Sequence, residues 1–291
     1  MSSDTGDGHA VDRDKVVQFH DVSFYFSDLP DDDTGEIEAA GTVNQVFTQL
    51  DLELPSGMLS VVGENGIGKS TLLMLAGARL IPTDGHVTLF GRDTREFAEA
   101  HQRPELEEER NRLVSVIYQN MEFETNESIG TLLEAVAEMG NFGGSSDEFL
   151  SELRSALELD TVLDKRMQEL SKGQLQRAII AFSLLYGSHM VIMDEPVFAL
   201  EQPQKERTFE YLLDYSRRSG TSIYYSAHDL DLTQKYSDTM LLLQKNDAPL
   251  IGPTSELYTR DNLEQAFQAP LDTLYRRDYL YREMLMHTLK R

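Results

Sequence analysis

The stretch Gly63-Glu-Asn-Gly-Ile-Gly-Lys-Ser-Thr71 decides the fold of this 291-residue chain. It fits the pattern G-x-x-x-x-G-K-[ST] and lies between a short apolar run at 59–62 and a helix-like run at 72–80. Glycines let the backbone turn tightly and direct several N–H groups inward, and the N-terminus of the following helix favours an anion. The stretch therefore predicts a phosphate-binding loop between a buried parallel strand and a helix, in preference to an ordinary glycine-rich turn.

The side chains of this loop suit a nucleotide with a bound magnesium ion. Lys69 supplies a mobile cation for the β- and γ-phosphates, and the Ser70 hydroxyl can ligate Mg²⁺. The ATP-binding residues predicted in the loop are Gly63, Glu64, Asn65, Gly66, Ile67, Gly68, Lys69, Ser70 and Thr71.

Acidic and basic side chains follow two further apolar runs. Asp194 and Glu195 come directly after the run at 190–193, and His228 follows the run at 221–226. Ligands of open α/β sheets bind at the carboxyl ends of the strands. Asp194 is the predicted Mg²⁺ ligand, and Glu195 is predicted to orient or deprotonate a water that attacks the γ-phosphate. Without the loop upstream, a solvated strand end would explain the two acids equally well.

The rest of the chain alternates strand-like and helix-like segments, which predicts a doubly wound α/β fold. Further strands are predicted at 16–26, 86–90, 113–118 and 239–243. A charged, helix-permissive segment occupies 97–112, and 120–186 is mostly helical in pattern. Residues 27–38 hold six acids and no base, which is typical of a solvated loop.

A second motif, Leu170-Ser-Lys-Gly-Gln-Leu-Gln-Arg177, lies between the loop and the paired acids. Here the chain resembles the ATPase subunits of ABC transporters, whose signature is close to Leu-Ser-Gly-Gly-Gln. The order of motifs also matches the family, with Gln119 after a strand and His228 after Asp194 and Glu195. The resemblance covers roughly residues 16–245.

The resemblance implies an α/β, P-loop NTPase fold. Its ABC-type ATPase core has a mostly parallel sheet with an antiparallel β portion and an inserted helical subdomain. The expected division is a flexible N-terminus at 1–15, the core at 16–119 and 187–250, the helical signature subdomain at 120–186 and a helical C-terminal extension at 251–291.

The family pattern also implies a head-to-tail dimer with two ATP molecules held between the subunits. Ser171, Lys172, Gly173 and Gln174 would reach the nucleotide bound to the other subunit, since a Ser-capped helix start is a sensible anion site. The implied catalytic residues are Lys69, Gln119, Glu195 and His228. The implied Mg²⁺ ligands are Ser70, Gln119 and Asp194.

Three positions leave alternatives open. Phe26 fits the family's adenine-stacking aromatic best and Tyr25 is second, although both could be core or edge residues. Lys172 stands where the family usually has glycine, and it either adds a cation near phosphate or faces water. Glu201 stands where the family usually has Asp, which leaves the communication between the two nucleotide sites in doubt.

Composition narrows the partners. Acids outnumber bases 50 to 26, which gives a formal charge of −24 and opposes binding to nucleic acid or to an anionic membrane. The absence of cysteine excludes disulfides and cysteine-bound metals. No signal peptide is visible, and the longest apolar stretch, at 178–186, is far below the ~20 residues that span a bilayer. We expect a cytoplasmic protein that lies on the inner face of the cell membrane through a transmembrane permease subunit, with no direct membrane insertion.

The predicted function is ATP hydrolysis that powers solute transport, with import favoured. The stretch 257–267 resembles the tail of ATPases that serve ferric-siderophore, haem and vitamin B12 importers, although an ordinary amphipathic helix would read the same way. Two alternatives remain: a low-turnover regulatory subunit, and a soluble ABC-type ATPase that acts on DNA or ribosomes.

Overall fold

The computed structural model describes residues 16–26, 44–118, 121, 124–141, 147–227, 229–245 and 247–274. The N-terminal segment 1–15, the acidic stretch 27–38, Gln119, His228 and the basic residues beyond 274 lie outside the described residues.

The strands of the described residues are β1 (Val17–Phe26), β2 (Asn44–Leu54), β3 (Met58–Val62), β4 (Asp84–Leu89), β5 (Arg92–Asp93), β6 (Val114–Ile117), β7 (Met190–Met193), β8 (Ser222–Ser226), β9 (Thr239–Leu242) and β10 (Leu250–Pro253). The α-helices are α1 (Lys69–Ala76), α2 (Pro104–Leu113), α3 (Ile129–Met139), α4 (Asp147–Ala156), α5 (Lys172–Tyr186), α6 (Gln202–Ser219), α7 (Leu230–Tyr236), α8 (Thr254–Leu257) and α9 (Arg260–Phe267). Short 3₁₀ helices occupy Thr94–Phe97, Ala100–Gln102 and Met167–Glu169.

A six-stranded sheet forms the centre of the fold, in the order β10-β9-β3-β8-β7-β6. All neighbours pair in parallel except β10, which runs antiparallel to β9. Strands β3, β7 and β8 are buried along their whole length, as strands covered on both faces should be. The predicted α/β fold with a mostly parallel sheet is confirmed.

A second sheet is antiparallel, in the order β2-β1-β4-β5. Its apolar face shares one core with α1 and with one face of the six-stranded sheet. Strand β2 was not predicted, although Leu50, Leu52 and Leu54 alternate with polar residues and are all buried. This sheet supplies the antiparallel β portion of the fold.

Helices α3, α4 and α5 pack together beside the other face of the six-stranded sheet. Leu133, Leu153 and Leu184 from these three helices lie in one core with β7 residues such as Val191 and Met193. The isolated bridge between Ser128 and Arg166 joins the entrance of α3 to the segment before α5. The first turn of α5 therefore rests on a helical unit that is joined to the sheet through this core.

Two details differ from the sequence-based expectation. The stretch 97–112 is not one helix, because Pro104 begins α2: proline lacks an N–H group and favours the first helical position. The C-terminal extension expected to be helical from 251 starts with β10, which pairs with β9, and α8 and α9 follow. The remaining division of the chain into subdomains stays a prediction.

Candidate active site

The order of strands brings the predicted motifs to one edge of the six-stranded sheet. Strand β8 lies between β3, which leads into the phosphate loop, and β7, which leads into Asp194. In the parallel register, Val61 is opposite Ser226, and Tyr225 is opposite Met193. The loop and the paired acids are separated in sequence by more than a hundred residues, yet they leave adjacent strand ends.

Gly68 shows why the loop requires glycine at its last turn. Its φ of 107° is in the left-handed region, and a Cβ atom there would lie 2.7 Å from Val46 Cγ1 and 3.0 Å from Phe47 Cζ. Helix α1 begins at the next residue with no side-chain cap and no acid in its first turn. The first N–H groups of α1 are therefore left for an anion, as a phosphate loop needs.

Lys69 is buried and is held against the loop itself. Its Nζ donates to the carbonyl oxygens of Gly63 at 2.8 Å and Glu64 at 3.0 Å. An ammonium group has three donors, so one remains for a phosphate oxygen. Burial lowers the pKa of Lys69 below its ordinary value, while the carboxylates of Glu195, Asp194 and Glu64 oppose that shift. The opposing effects show that Lys69 and these three acids lie in one electrostatic cluster.

Asp194 and Glu195 share one partner, Ser226. Asp194 is buried, and its Oδ1 accepts a hydrogen bond from Ser226 Oγ at 2.6 Å. The backbone N–H of Glu195 donates to the same Oγ at 2.8 Å, and Glu195 has a φ of 52°. The second acid thus leaves the strand through a left-handed residue, a conformation rare outside glycine.

The donor set suits a divalent cation. The carboxylates of Glu195, Asp194 and Glu64 all act on the ammonium of Lys69, so acids outnumber bases in this group of described residues. Asp194 uses one acceptor position for Ser226, and a carboxylate offers about four. Hard oxygen ligands of this kind, together with the Ser70 hydroxyl on the first turn of α1, are those Mg²⁺ prefers.

The signature residues form the capped start of α5. Ser171 Oγ accepts from the N–H of Gln174, and Gln174 Oε1 accepts from the N–H of Ser171, which completes a capping box. A Cβ atom on Gly173 would lie 2.9 Å from the carbonyl oxygen of Ala199. The α5 start therefore packs against the segment that follows Glu195, and Lys172 is exposed beside it.

The two aromatic candidates lie at the end of β1. Phe26 is 45% exposed and Tyr25 is 38% exposed, and the Phe26 ring meets Phe24 edge-on. Their exposure agrees with a stacking role for either one and does not separate them. The structure also brings Phe47 of β2 against the phosphate loop, next to Gly68.

The structure brings together the loop, Lys69, Asp194 and Glu195, but within the described part of one chain the bonds of Ser171 and Gln174 stay in their own cap. Gln119 and His228 lie outside the described residues, so their predicted roles stay predictions. Sequence reasoning missed Ser226 and Phe47. Nothing local marks either residue, because the alternation in β2 runs through Leu50, Leu52 and Leu54 and Phe47 is out of step with it.

The family model described as ABC transporter matches residues 47–198. A protein of Pyrococcus horikoshii, named as an ABC transporter ATP-binding protein, is 28% identical over 252 residues, which are 84% of this chain and 86% of that protein. The petrobactin import ATP-binding protein FatE of Bacillus anthracis is 24% identical over 77% of this chain and 88% of its own length. Among solved structures, the post-hydrolysis dimer of the ATP-binding cassette MJ0796 with ADP and phosphate aligns with a TM-score of 0.67 and 18% identity, over 82% of this chain and 98% of that one.

Proposed function

This chain belongs to the ABC transporter family and is one of its ATP-binding ATPases, and from that premise we propose that it hydrolyses ATP to drive solute import through a separate membrane permease. The main support for the proposal is the cluster of Lys69, Asp194 and Glu195. It lies at the edge of the six-stranded sheet where β3 leads into the phosphate loop. A loop alone would support nucleotide binding. The two carboxylates beside its lysine support hydrolysis.

The loop and α1 hold the triphosphate in this proposal. The free N–H groups at the start of α1 and the third donor of Lys69 would bind phosphate oxygens. Ser70 and Asp194 would hold Mg²⁺, with Gln119 as the further ligand expected from the family resemblance. When bound, Mg²⁺ would neutralise charge on the β- and γ-phosphates.

Glu195 is the proposed general base. A water oxygen bonds to the γ-phosphorus, the bond from that phosphorus to the bridging oxygen breaks, and Glu195 accepts the water proton while ADP leaves. Its position one residue after Asp194 sets the base beside the metal ligand. His228 is the proposed additional contact for the γ-phosphate.

The trans part of the site would come from a second copy or a related chain. Ser171, Gly173 and Gln174 lie in the capped first turn of α5, where Ser171 and Lys172 are exposed. Such a start can bind the γ-phosphate held by the loop of the partner. Closing on ATP and opening after hydrolysis would then be a switch controlled by the phosphate.

One finding supports import through a partner at the membrane. The relative FatE is named for petrobactin import, and the match to this chain covers 88% of the length of FatE. From the family and this relative, we propose that the chain lies on the inner face of the cell membrane, held by a permease. Among the helices in the described ranges, none has the length and apolar character needed to cross a bilayer. Transport of a radiolabelled siderophore into vesicles would test direction, and efflux only would contradict import.

Glu195→Gln tests the ATPase proposal directly. The amide cannot accept the proton, so ATP hydrolysis is expected to fall by roughly 10²–10⁴-fold while ATP binding persists. With ATP and Mg²⁺, the variant should accumulate as a closed dimer by light scattering.

The matched control is Glu210→Gln, an exposed glutamate on α6 that should leave turnover unchanged. Phosphate release from Glu195→Gln at the wild-type rate would remove Glu195 from the base role. A wild-type chain that binds ATP but never turns it over would instead favour the low-turnover regulatory alternative, to which Lys172 and Glu201 still point.

A further inference from the structure

Ser226 bonds to the carboxylate of Asp194 and to the backbone N–H of Glu195, although it belongs to neither sequence motif. It is the last residue of β8 and is 1% exposed. Its Oγ donates to Asp194 Oδ1 at 2.6 Å and accepts from the Glu195 N–H at 2.8 Å. One hydroxyl thus uses its donor on one acid and an acceptor position on the backbone of the next.

The bond to Asp194 fixes the orientation of a buried carboxylate. Asp194 is 7% exposed, so water cannot freely satisfy its oxygens. The bond to Ser226 uses one acceptor position on Oδ1 and leaves the others of the carboxylate for a cation. A hydrogen bond from a neighbouring side chain of this kind helps to orient a metal ligand.

The bond to Glu195 holds an unusual backbone in place. Glu195 has a φ of 52°, and a non-glycine residue keeps that conformation only where its surroundings impose it. The N–H of Glu195 donates to Ser226 Oγ, which ties this turn to the end of β8. The turn sets the direction in which the Glu195 side chain leaves the strand.

We propose that Ser226 is a positioning residue that fixes the metal-binding Asp194 and the base Glu195 in one geometry through a single hydroxyl. The inference rests on the proposed roles of those two acids. It adds a third residue, from a different strand, whose removal would loosen both roles at once.

The test is Ser226→Ala, with Ser60→Ala as its matched control. Ser60 is a fully buried serine on the neighbouring strand β3, and its hydroxyl has no hydrogen-bond partner among the described residues. Binding of a fluorescent ATP analogue is measured at increasing Mg²⁺ concentrations, which gives the apparent Mg²⁺ affinity. The affinity for the analogue is measured separately in EDTA, and phosphate release from ATP gives kcat. Ser226→Ala should weaken the apparent Mg²⁺ affinity by roughly 10–100-fold. It should also lower kcat, while affinity in EDTA stays at the wild-type value.

A Mg²⁺ affinity and a kcat equal to those of Ser60→Ala would overturn the inference. Equal losses in EDTA and in Mg²⁺ would overturn it too, because they would indicate general damage to the site. Should Ser226→Ala fail to fold, Ser226→Cys replaces it, since a thiol is similar in size and a weak donor. A wild-type Mg²⁺ affinity in Ser226→Cys would then contradict the inference. A wild-type chain that releases no phosphate from ATP in the presence of Mg²⁺ would refute the proposed function itself, which separates the two failures.

Discussion

Glu201 shows how one methylene group changes a helix start. It is the N-cap residue of α6, with extended backbone angles, and its side chain makes no capping hydrogen bond. Pro203 at the second helical position has no N–H, so Gln204 carries the N–H that a cap would satisfy. The family usually has aspartate at this position, and the aspartate side chain has the length needed to reach the N–H of Gln204. The loss is local, but it lies in the segment that packs on Gly173.

Glu201→Asp is expected to stabilise the protein. The shorter carboxylate can accept from the Gln204 N–H and also favours the positive end of the helix, so the free energy of unfolding in urea should rise by about 0.5–1.5 kcal/mol. Glu201→Gln, which keeps the length, is the control and should show no gain. Equal stability of the two variants would mean that the cap position is already satisfied.

At the scale of elements, one carboxylate ties the signature helix α5 to α6. Glu158 follows α4 with a φ of 52°, and its Oε2 accepts from Arg177 of α5 and from Gln204 of α6. Its Oε1 accepts from Arg207 of α6. Arg177 is buried, so its guanidinium depends on this partner far more than the exposed Arg207 does. Through Glu158, the helix that would meet the partner's nucleotide is fixed to the helix that follows Glu195.

Glu158→Ala is expected to lower the free energy of unfolding by roughly 2–4 kcal/mol, because it leaves the buried Arg177 without its carboxylate. Arg207→Ala removes only the exposed arm of the network and should cost no more than about 1 kcal/mol. Urea unfolding of both variants measures the difference. Equal costs would show that the buried pair is no more important than the exposed one.

In the molecule as a whole, the net charge opposes the proposed dimer. Each chain carries a formal charge of −24, so two copies repel each other before they close on ATP. Many arginines are already used in surface ion pairs within the chain, such as Arg92 with Glu96 and Glu109, and Arg218 with Glu152 and Asp214. These bases neutralise their own neighbours and leave the acid excess uncompensated.

The dimer of the Glu195→Gln variant should therefore tighten with salt. Between 0.1 M and 1 M KCl the Debye length falls from about 10 Å to about 3 Å. At saturating ATP and Mg²⁺, the dissociation constant of the dimer is then expected to fall by roughly tenfold. Analytical ultracentrifugation measures it. Nucleotide affinity of the dilute monomer at both salt concentrations is the control. A dimer that loosens with salt would show that attraction between opposite charges at the interface outweighs the net repulsion.

The sequence by itself determined the chemistry of the phosphate loop and most of the parallel sheet. The loop is contiguous, and its strand and helix flank it directly, so local spacing carries all the information it needs. Strands β3, β7 and β8 were predicted because full burial leaves an apolar run. The start of α2 was missed because a weak charged pattern concealed the effect of Pro104.

Only the tertiary structure decided which distant residues meet. Ser226 reaches Asp194 because β8 pairs beside β7 in one register, and Phe47 reaches Gly68 because β2 pairs with β1 over the loop. Glu158 likewise joins α5 to α6 across long stretches of chain. Each contact depends on the register of strands or the packing of helices, which is set by the burial of many side chains together. A short stretch of sequence does not show how those side chains pack together.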